Sequence, residues 1–319
     1  MMTGMFLDKP IWMWAMFMAI VVILLVLDLG VLHKKDKDIS AKESMITYCF
    51  YIMMACGFGG WVWWELGSEK GMQYFTGYVI EQSLSMDNLF VMAMIFGFFK
   101  IPRSLQHRVL FWGILGVIVL RGIMIGVGAA LVSEFHWVLY LFSAFLIFSG
   151  IKMMTAGEHE TDLAQNPLLK FMRKHMRVED QLHGNHFFVR LKDKNNGMMA
   201  TYMTPLMVAL ILIEFADVVF AVDSVPAIFA ITTDPYIVYT SNIFAILGLR
   251  TLYFALAAMM ERFAYLKYAL SAVLIFIGGK IFVVDFVTKE HFPPALSLGI
   301  TFALLASGVA YSLWKTRKA

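Results

Sequence analysis

Residues 143–152 have the sequence SAFLIFSGIK, and residues 271–280 have the sequence SAVLIFIGGK. The two segments begin 128 positions apart and are identical at seven of ten positions. Upstream of each segment, an arginine lies inside an apolar stretch, at Arg121 and at Arg250. Two distant parts of the chain thus share an unusual charge followed by the same motif, which indicates an internal duplication.

The correspondence continues toward the N-terminus, where a pair of acidic residues precedes each arginine. Glu81 and Asp87 precede the first arginine, and Asp217 and Asp223 precede the second, at an offset of 136 positions. Convergent apolar composition is the alternative explanation, but it does not account for an ordered series of acid pair, arginine and ten-residue motif. We therefore predict two copies of one structural unit.

The composition is that of a membrane protein. Of the 319 residues, 60% are hydrophobic and 15% are charged, and the mean hydropathy is +0.72. A soluble domain has about 25% charged residues, so a soluble enzyme, a disordered chain and a secreted disulfide scaffold are excluded. The two cysteines, Cys49 and Cys56, follow no redox or zinc-binding pattern. The formal net charge of +3 is too small to indicate a nucleic-acid partner.

Nine apolar runs are long enough to cross a bilayer, for which a helix needs about 20 residues. They cover residues 11–32, 44–66, 74–98, 108–132, 136–154, 203–230, 236–258, 264–285 and 293–314. Each copy of the repeat contains three runs, namely the third to fifth and the sixth to eighth. Because three is odd, the second copy must enter the membrane from the opposite side, as in inverted-repeat transporters. The predicted fold is an all-α membrane protein of about nine transmembrane helices with an inverted repeat of three helices.

The distribution of lysine and arginine predicts the orientation of the chain. With the N-terminus outside, 19 of these residues fall in cytoplasmic segments and three fall outside, so the positive-inside rule predicts N-out and C-in. The chain is then divided into two N-terminal transmembrane helices at 1–72, the first repeat at 73–154, a basic cytoplasmic loop at 155–202, the inverted second repeat at 203–286, and a C-terminal helix with a short basic tail at 287–319.

Two local structures are predicted in the loop. An Asn-Pro pair at 166–167 precedes apolar residues that alternate with lysine and arginine. This pattern predicts a basic amphipathic helix on the membrane surface. Residues 187–191 and 198–202 flank the turn sequence NNG at 195–197, which is typical of a β-hairpin.

Acidic residues lie inside the predicted spans, where an ionisable group costs about 2.5–3.5 kcal/mol or more and marks a functional site. Residues 81–88 have the sequence EQSLSMDN, and residues 214–226 have the sequence EFADVVFAVDSVP. Together they contain five carboxylates with several amide and hydroxyl oxygens. Hard divalent cations such as Mn²⁺, Mg²⁺ and Ca²⁺ prefer oxygen ligands. The sequence therefore predicts a divalent-cation site near the membrane midplane, where the two repeats meet.

Helical geometry restricts how these acids could meet. Residues three apart, such as Glu214 and Asp217, share one face of a helix. Residues six apart, as in each repeat-related acid pair, are separated by about 120° around a straight helix and would not converge on one ion. Pro226 cannot donate a backbone hydrogen bond, so we expect the helix to bend or unwind beside Asp223.

The arginines and methionines of the spans have simpler interpretations. Arg121 and Arg250 are predicted to balance the charge of some of the acids, and electrostatic release of a bound cation is the functional alternative. The 24 methionines are scattered and do not recur at ligand spacing. We expect them to face lipid or fill packing space rather than to form a copper path.

The segments at 81–88, 214–227 and 241–250 resemble the signatures of the TerC family of bacterial integral membrane proteins, and the resemblance extends over nearly the whole chain. It implies export of Mn²⁺ from the cytoplasm across the bacterial inner membrane, with intramembrane acids as ion ligands. By this match, the metal-site residues would be Glu81, Asp87, Asn88, Glu214, Asp217, Asp223 and Ser224.

The sequence thus leads to the hypothesis of a secondary active Mn²⁺ exporter that works by alternating access, with no permanently bound cofactor. Protons are the expected coupling ion, and the membrane potential is the alternative driving force. No Walker A motif is present, which argues against ATP hydrolysis by this chain. Ca²⁺ transport stays open, because ligand type alone does not separate Ca²⁺ from Mn²⁺. A non-transporting scaffold or sensor that acts through the 155–202 loop is the alternative. An intramembrane hydrolase lacks a convincing nucleophile, so the chain is not expected to be an enzyme.

Overall fold

The computed structural model describes residues 4–27, 41–135, 137–155, 163–192, 198–256, 265–285 and 292–316. These residues form an almost entirely helical protein. Its helices are α1 (Ile11–Leu27), α2 (Ala41–Leu66), α3 (Ser68–Phe98), α4 (Arg103–Glu134), α5 (Trp137–Thr155), α6 (Pro167–His175), α7 (Pro205–Phe229), α8 (Pro235–Leu256), α9 (Leu266–Val283) and α10 (Pro294–Thr316). Two small antiparallel hairpins pair β1 (Met5–Phe6) with β2 (Lys9–Pro10) and β3 (Phe188–Lys192) with β4 (Met199–Met203).

Eight of the described helices are long and apolar enough to span a membrane, namely α2 to α5 and α7 to α10. The apolar helix α1 has 17 residues, fewer than the about 20 that a bilayer requires. The end of the first predicted run, at 28–32, lies outside the described residues. The prediction of an all-helical membrane-spanning protein is therefore confirmed, whereas the count of nine spans is not.

Helices α5 and α9, which carry the two copies of the ten-residue motif, pack directly on each other. A Cβ atom at Gly150 of α5 would lie 2.9 Å from the backbone oxygen of Ser271 in α9. Reciprocally, a Cβ atom at Gly278 of α9 would lie 2.6 Å from the backbone oxygen of Ser143 in α5. Because the start of each helix meets the end of the other, the two helices run antiparallel. The glycines permit a close crossing that any larger residue would prevent.

The centre of the bundle is formed by α3, α4, α7 and α8. Helix α3 packs against both α7 and α8, and α4 likewise packs against both. Helix α8 is the most buried of the eight spans. Close approach of α3 and α8 depends on Gly77, where a Cβ atom would lie 2.9 Å from Oγ of Ser241. These four helices position the polar residues of the site.

The structure of the loop contains both the predicted helix and the predicted hairpin, while the position of the helix on the membrane surface stays a prediction. Helix α6 begins after Asn166, whose Oδ1 accepts hydrogen bonds from the backbone N–H groups of Leu168 and Leu169 at 2.9 and 3.3 Å. Strands β3 and β4 form the predicted hairpin, with Phe188 opposite Met203. The predicted turn at 195–197 lies outside the described residues.

The expected unwinding of the helix beside Asp223 is wrong. Helix α7 continues through Pro226 and ends at Phe229. Pro226 lacks only the hydrogen bond that its N–H would donate to the carbonyl of Val222, and the bend that was also expected there stays a prediction. Ala227 and Ile228, which follow it, are fully buried, and their packing helps to hold the last turn in place.

Candidate cation site in the centre of the bundle

One arginine joins the repeat-related acids of α3 and α7. Arg121 of α4 is 1% exposed, and its Nη1 lies 3.0 Å from Oε1 of Glu81. Its Nε and Nη2 each donate to a carboxylate oxygen of Asp217 at 3.2 Å. Nη1 also donates to Oγ of Ser224 at 2.6 Å. The guanidinium thus binds equivalent acids from both copies with the bidentate geometry that arginine favours.

Amide and hydroxyl groups complete the environment of these two carboxylates. Asn242 of α8 donates to Oε2 of Glu81 at 2.9 Å, and Ser85 donates to Oε1 at 3.1 Å. Asn88 of α3 donates through Nδ2 to Oδ1 of Asp217 at 3.1 Å. Because buried charges persist only when they are paired and hydrogen-bonded, we interpret this cluster as a fixed polar network between α3, α4, α7 and α8.

A cavity of about 50 Å³ adjoins the network, and we call it the central cavity. Its volume suits an ion or a water molecule rather than an organic solute. The cavity is lined by Glu81, Leu84, Ser85, Asp87, Asn88, Arg121, Met153, Phe220, Asp223 and Ser224. Asp223 accepts a hydrogen bond from Oγ of Ser149 in α5 at 2.8 Å. The cavity therefore lies between α3 and α7 and is bounded by residues of α4 and α5.

Five of the seven predicted site residues line this cavity, namely Glu81, Asp87, Asn88, Asp223 and Ser224. Asp217 does not line it but contacts it indirectly through Arg121 and Asn88. Asp217 and Asp223 therefore lie in different environments, as expected for residues about 120° apart around a straight helix. In the described ranges, no group of three or more His, Cys, Asp or Glu side chains is arranged to hold a metal ion.

The structure places Glu214 away from the central cavity. Its carboxylate lies against two glycines of α4, where a Cβ atom at Gly116 would be 2.5 Å from Oε2 and one at Gly113 would be 3.2 Å from Oε1. Both oxygens are buried and accept no hydrogen bond from the part of the chain that the structure describes. Glu214 and Asp217 do share the face of α7 that packs on α4, as their spacing predicts.

Four residues with polar or sulfur atoms at the site were not among the predicted ligands: Ser85, Asn242, Ser149 and Met153. Asn242 lies in the 241–250 segment that carries the family resemblance. An amide side chain inside an apolar span could have marked it as a site residue. Ser149 and Met153 belong to apolar α5 and give no comparable signal. Arg250, the repeat equivalent of Arg121, is also buried but does not line the central cavity.

A second and larger cavity, which we call the wide cavity, has a volume of about 700 Å³. It lies at the end of the bundle where α3 and α10 begin and where α7 and α9 end. Its lining includes Thr76 of α3, Thr232 after α7, Lys280 of α9 and Ser297 of α10. The bundle is therefore more open at this end than at the level of the central cavity.

The chain matches a known family of integral membrane proteins. Residues 66–319 match the model of the integral membrane protein TerC family, and the chain belongs to this family. It is 45% identical over 311 residues to the putative membrane-bound redox modulator Alx of Escherichia coli K12, which covers 95% of this chain and 94% of that protein.

Two further relatives are equally similar. The chain is 46% identical over 307 residues to the uncharacterized membrane protein STKORF319 of Myxococcus xanthus, which covers 96% of this chain and 93% of that protein. It is also 46% identical over 300 residues to an uncharacterized membrane protein of Rickettsia bellii, and these residues cover 94% of this chain and 96% of that protein. No solved structure matches the chain.

Proposed function

We propose that this protein is a secondary active exporter of Mn²⁺ in the bacterial inner membrane. The observation that carries the proposal is the pair of repeat-related acids, Asp87 and Asp223, that lines the central cavity from α3 and α7. With Glu81 and Asp217, the site contains four carboxylates against the single guanidinium of Arg121. When all are ionised, these five groups carry a charge of −3. The ammonium groups of Lys267 and Lys152, which act on Asp87 and Asp223, offset part of it. The site still carries an excess of negative charge, which attracts a cation and repels an anion.

An inverted repeat with N-out topology and nine spans forms part of this proposal. The antiparallel crossing of α5 and α9 supports it, because equivalent glycines contact equivalent serines across the interface. The packing of α3 on α8 and of α4 on α7 is also the pairing that a two-fold exchange of the repeats would generate. In such transporters the substrate site lies where the repeats meet.

Alternating access is supported by the difference between the two ends of the bundle. The α3 residues of the wide cavity, at 69–76, correspond by the offset of 136 to residues 205–212 of α7. At that opposite end Leu206 and Ala209 are fully buried in one apolar cluster with Ile95 and Phe96 of α3. An exchange of these two arrangements between the copies would close the wide cavity and open the packed end.

An apolar layer separates the two cavities. Ile80 of α3 and Ala227 of α7 lie between residues of the central cavity and residues of the wide cavity along their own helices. Both belong to an apolar cluster that also contains Leu274 of α9 and Leu146 of α5. A hydrated cation cannot cross such a layer without a conformational change, because ions lose their hydration there.

Proton coupling follows from the surplus of carboxylates. A cavity with several acids must be neutralised when the metal ion has left, and protons are the available small cations. We therefore propose exchange of Mn²⁺ for protons. Transport of another divalent cation, such as Ca²⁺, is the second candidate, because Asp and Asn oxygens also suit Ca²⁺.

The name of the Escherichia coli relative refers to redox chemistry, but the cysteines of this chain do not favour an internal disulfide. Cys49 and Cys56 are both exposed on α2. Seven residues of α-helix rise about 10.5 Å, whereas disulfide-bonded residues have Cα atoms at most about 7 Å apart. The two thiols therefore cannot pair within one intact helix.

The test is metal flux in proteoliposomes that contain a Mn²⁺-sensitive dye. We expect the protein to move Mn²⁺ down an imposed gradient, and an opposing pH gradient to raise the rate until a protonophore removes it. Asp87→Asn and Asp223→Asn should each lower the flux by about tenfold or more, the effect of losing one charged ligand. Glu134→Gln, an exposed acid at the end of α4, is the matched control and should transport normally.

Two outcomes would contradict the proposal. If folded wild-type protein moves no divalent cation, the scaffold or sensor hypothesis becomes the better account. If wild-type protein transports Mn²⁺ and both aspartate variants do so at the same rate, the central cavity is not the site.

A further inference from the structure

Met153 is the residue of the central cavity that the metal-site hypothesis does not use. It lies in the last turn of α5, and its side chain lines the cavity together with Asp87 and Asp223. Met86 of α3 and Met153 both pack against the same apolar cluster, but Met86 does not line the cavity. From the sequence alone, all methionines were expected to face lipid or fill packing space. Met153 differs from this expectation because it lines the central cavity.

The position of Met153 is fixed by the serine one turn before it. Ser149 and Met153 are four residues apart and therefore share one face of α5. The hydrogen bond from Oγ of Ser149 to Oδ1 of Asp223, at 2.8 Å, holds this face against α7. Met153 therefore lines the cavity on the side of α5 where Ser149 binds the carboxylate of Asp223.

A second observation at the cavity points to a ligand. Asn88 is 4% exposed, lines the cavity and donates through Nδ2 to Asp217. Its carbonyl oxygen, Oδ1, is buried and accepts no hydrogen bond from any described residue. A buried carbonyl oxygen without a partner is costly, and a cation in the cavity would satisfy it. The cavity therefore combines two carboxylates, an uncommitted amide oxygen and a thioether.

This donor set discriminates between metal ions by softness. Ca²⁺ and Mg²⁺ are hard cations that take oxygen ligands and hold their water strongly. Thioether sulfur is a soft ligand, which favours transition metals over these ions. Replacing one oxygen ligand by Met153 would therefore weaken Ca²⁺ and Mg²⁺ binding more than binding of Mn²⁺ or of the softer Cd²⁺.

We propose that Met153 is the specificity-determining residue that makes the central cavity select divalent transition metals over Ca²⁺ and Mg²⁺. This inference rests on the proposed cation transport through the same cavity, and it decides between the two candidate substrates. The repeat equivalent of Met153 is Ile281, which lines the wide cavity instead. The thioether is therefore present in only one copy, and the selectivity would belong to the central cavity.

The test is a competition assay in proteoliposomes with Met153→Leu, which preserves size and apolarity but removes the sulfur. Mn²⁺ flux is measured against increasing Ca²⁺, Mg²⁺ or Cd²⁺. We expect the preference for Mn²⁺ over Ca²⁺ to fall roughly tenfold in this variant, while Ca²⁺ competes better. Met86→Leu, which removes a thioether from the same apolar cluster, is the matched control and should keep the wild-type preference.

A spectroscopic measurement covers the case in which Met153→Leu transports no ion. Purified protein carrying Cys49→Ser and Cys56→Ser is loaded with Cd²⁺, and X-ray absorption reports whether sulfur is bound to the metal. We expect sulfur in that background and in its Met86→Leu version, and only oxygen and nitrogen ligands after Met153→Leu.

The outcomes separate this inference from the proposed function. No divalent flux in the wild type would refute the transport proposal itself. Transport of Mn²⁺ with an unchanged Mn²⁺-to-Ca²⁺ preference in Met153→Leu would refute only the role of Met153. Cd²⁺ without a sulfur ligand in the background protein, or equal loss of preference in Met86→Leu, would refute it as well.

Discussion

Replacement of Arg121 by methionine tests whether the polar network holds the bundle together. Arg121→Met keeps a long side chain but removes the hydrogen bonds and ionic contacts to Glu81, Asp217 and Ser224. The side chains of Glu81 and Asp217 are 1% and 4% exposed. Water therefore does not reach either carboxylate to take the place of the lost guanidinium. Removing one partner of a buried ion pair costs about 3–5 kcal/mol.

The assay is thermal unfolding of the purified protein in detergent, followed by the fluorescence of its eight tryptophans. A loss of 1 kcal/mol lowers the melting temperature by about 2–4 °C in chains of 150–250 residues. We therefore expect Arg121→Met to melt roughly 10 °C below the wild type. Arg121→Lys should fall between the two, because one ammonium group cannot bind two carboxylates with the fork geometry of arginine.

A triple variant provides the matched control. Glu81→Gln, Arg121→Met and Asp217→Asn together remove all charge from the network while the amide donors Asn242 and Asn88 keep acceptors. Since a buried ionic cluster can often be replaced by neutral groups with little loss, the triple variant should recover most of the stability. Wild-type melting of Arg121→Met, or a triple variant less stable than the single one, would refute the reasoning.

Two glycine contacts give further predictions for the same melting assay. Gly278→Ala places a methyl group 2.6 Å from a backbone oxygen of α5 and should cost about 1–3 kcal/mol, whereas Gly279→Ala, with no atom within 4 Å, should not destabilise the protein. Gly116→Ala places a methyl group 2.5 Å from Glu214; because a side chain can shift more easily than backbone, we expect a smaller loss than for Gly278→Ala. Its control is Gly126→Ala, which meets no atom within 4 Å, and equal melting of each variant and its control would contradict the close contacts.

Local structure was predictable where short sequence signals act alone. Asn166 caps α6 because Asn followed by Pro satisfies the first N–H groups of a helix. The hairpin of β3 and β4 follows from a turn sequence between two alternating segments. Glu214 and Asp217 likewise share one face of α7, which packs on α4, because they are three residues apart.

The contacts between helices were not predictable from the same signals. A transmembrane helix is apolar on most faces, so its sequence does not fix which neighbour each polar residue meets. The sequence predicted that Arg121 balances some of the acids, but it did not indicate that Arg121 would bind both Glu81 and Asp217 or that Asn242 would donate to Glu81. Pro226 misled the prediction of unwinding, because the packing of the buried Ala227 and Ile228 that follow it depends on neighbouring helices.

The unequal roles of the two repeat-related arginines bear on how a duplicated protein could bind a cation. Under exact two-fold symmetry, Arg121 and Arg250 would both reach the four carboxylates, which would leave a formal charge of −2 when all groups are ionised. In the structure Arg121 alone binds Glu81 and Asp217, while Arg250 is buried in α8 and does not line the central cavity. The single guanidinium leaves these five groups at −3 rather than at the −2 of the symmetric arrangement, and Lys267 and Lys152 offset part of this charge at Asp87 and Asp223. Under the proposed function, this difference between the two arginines would strengthen the attraction for a cation while it keeps the two most buried acids paired.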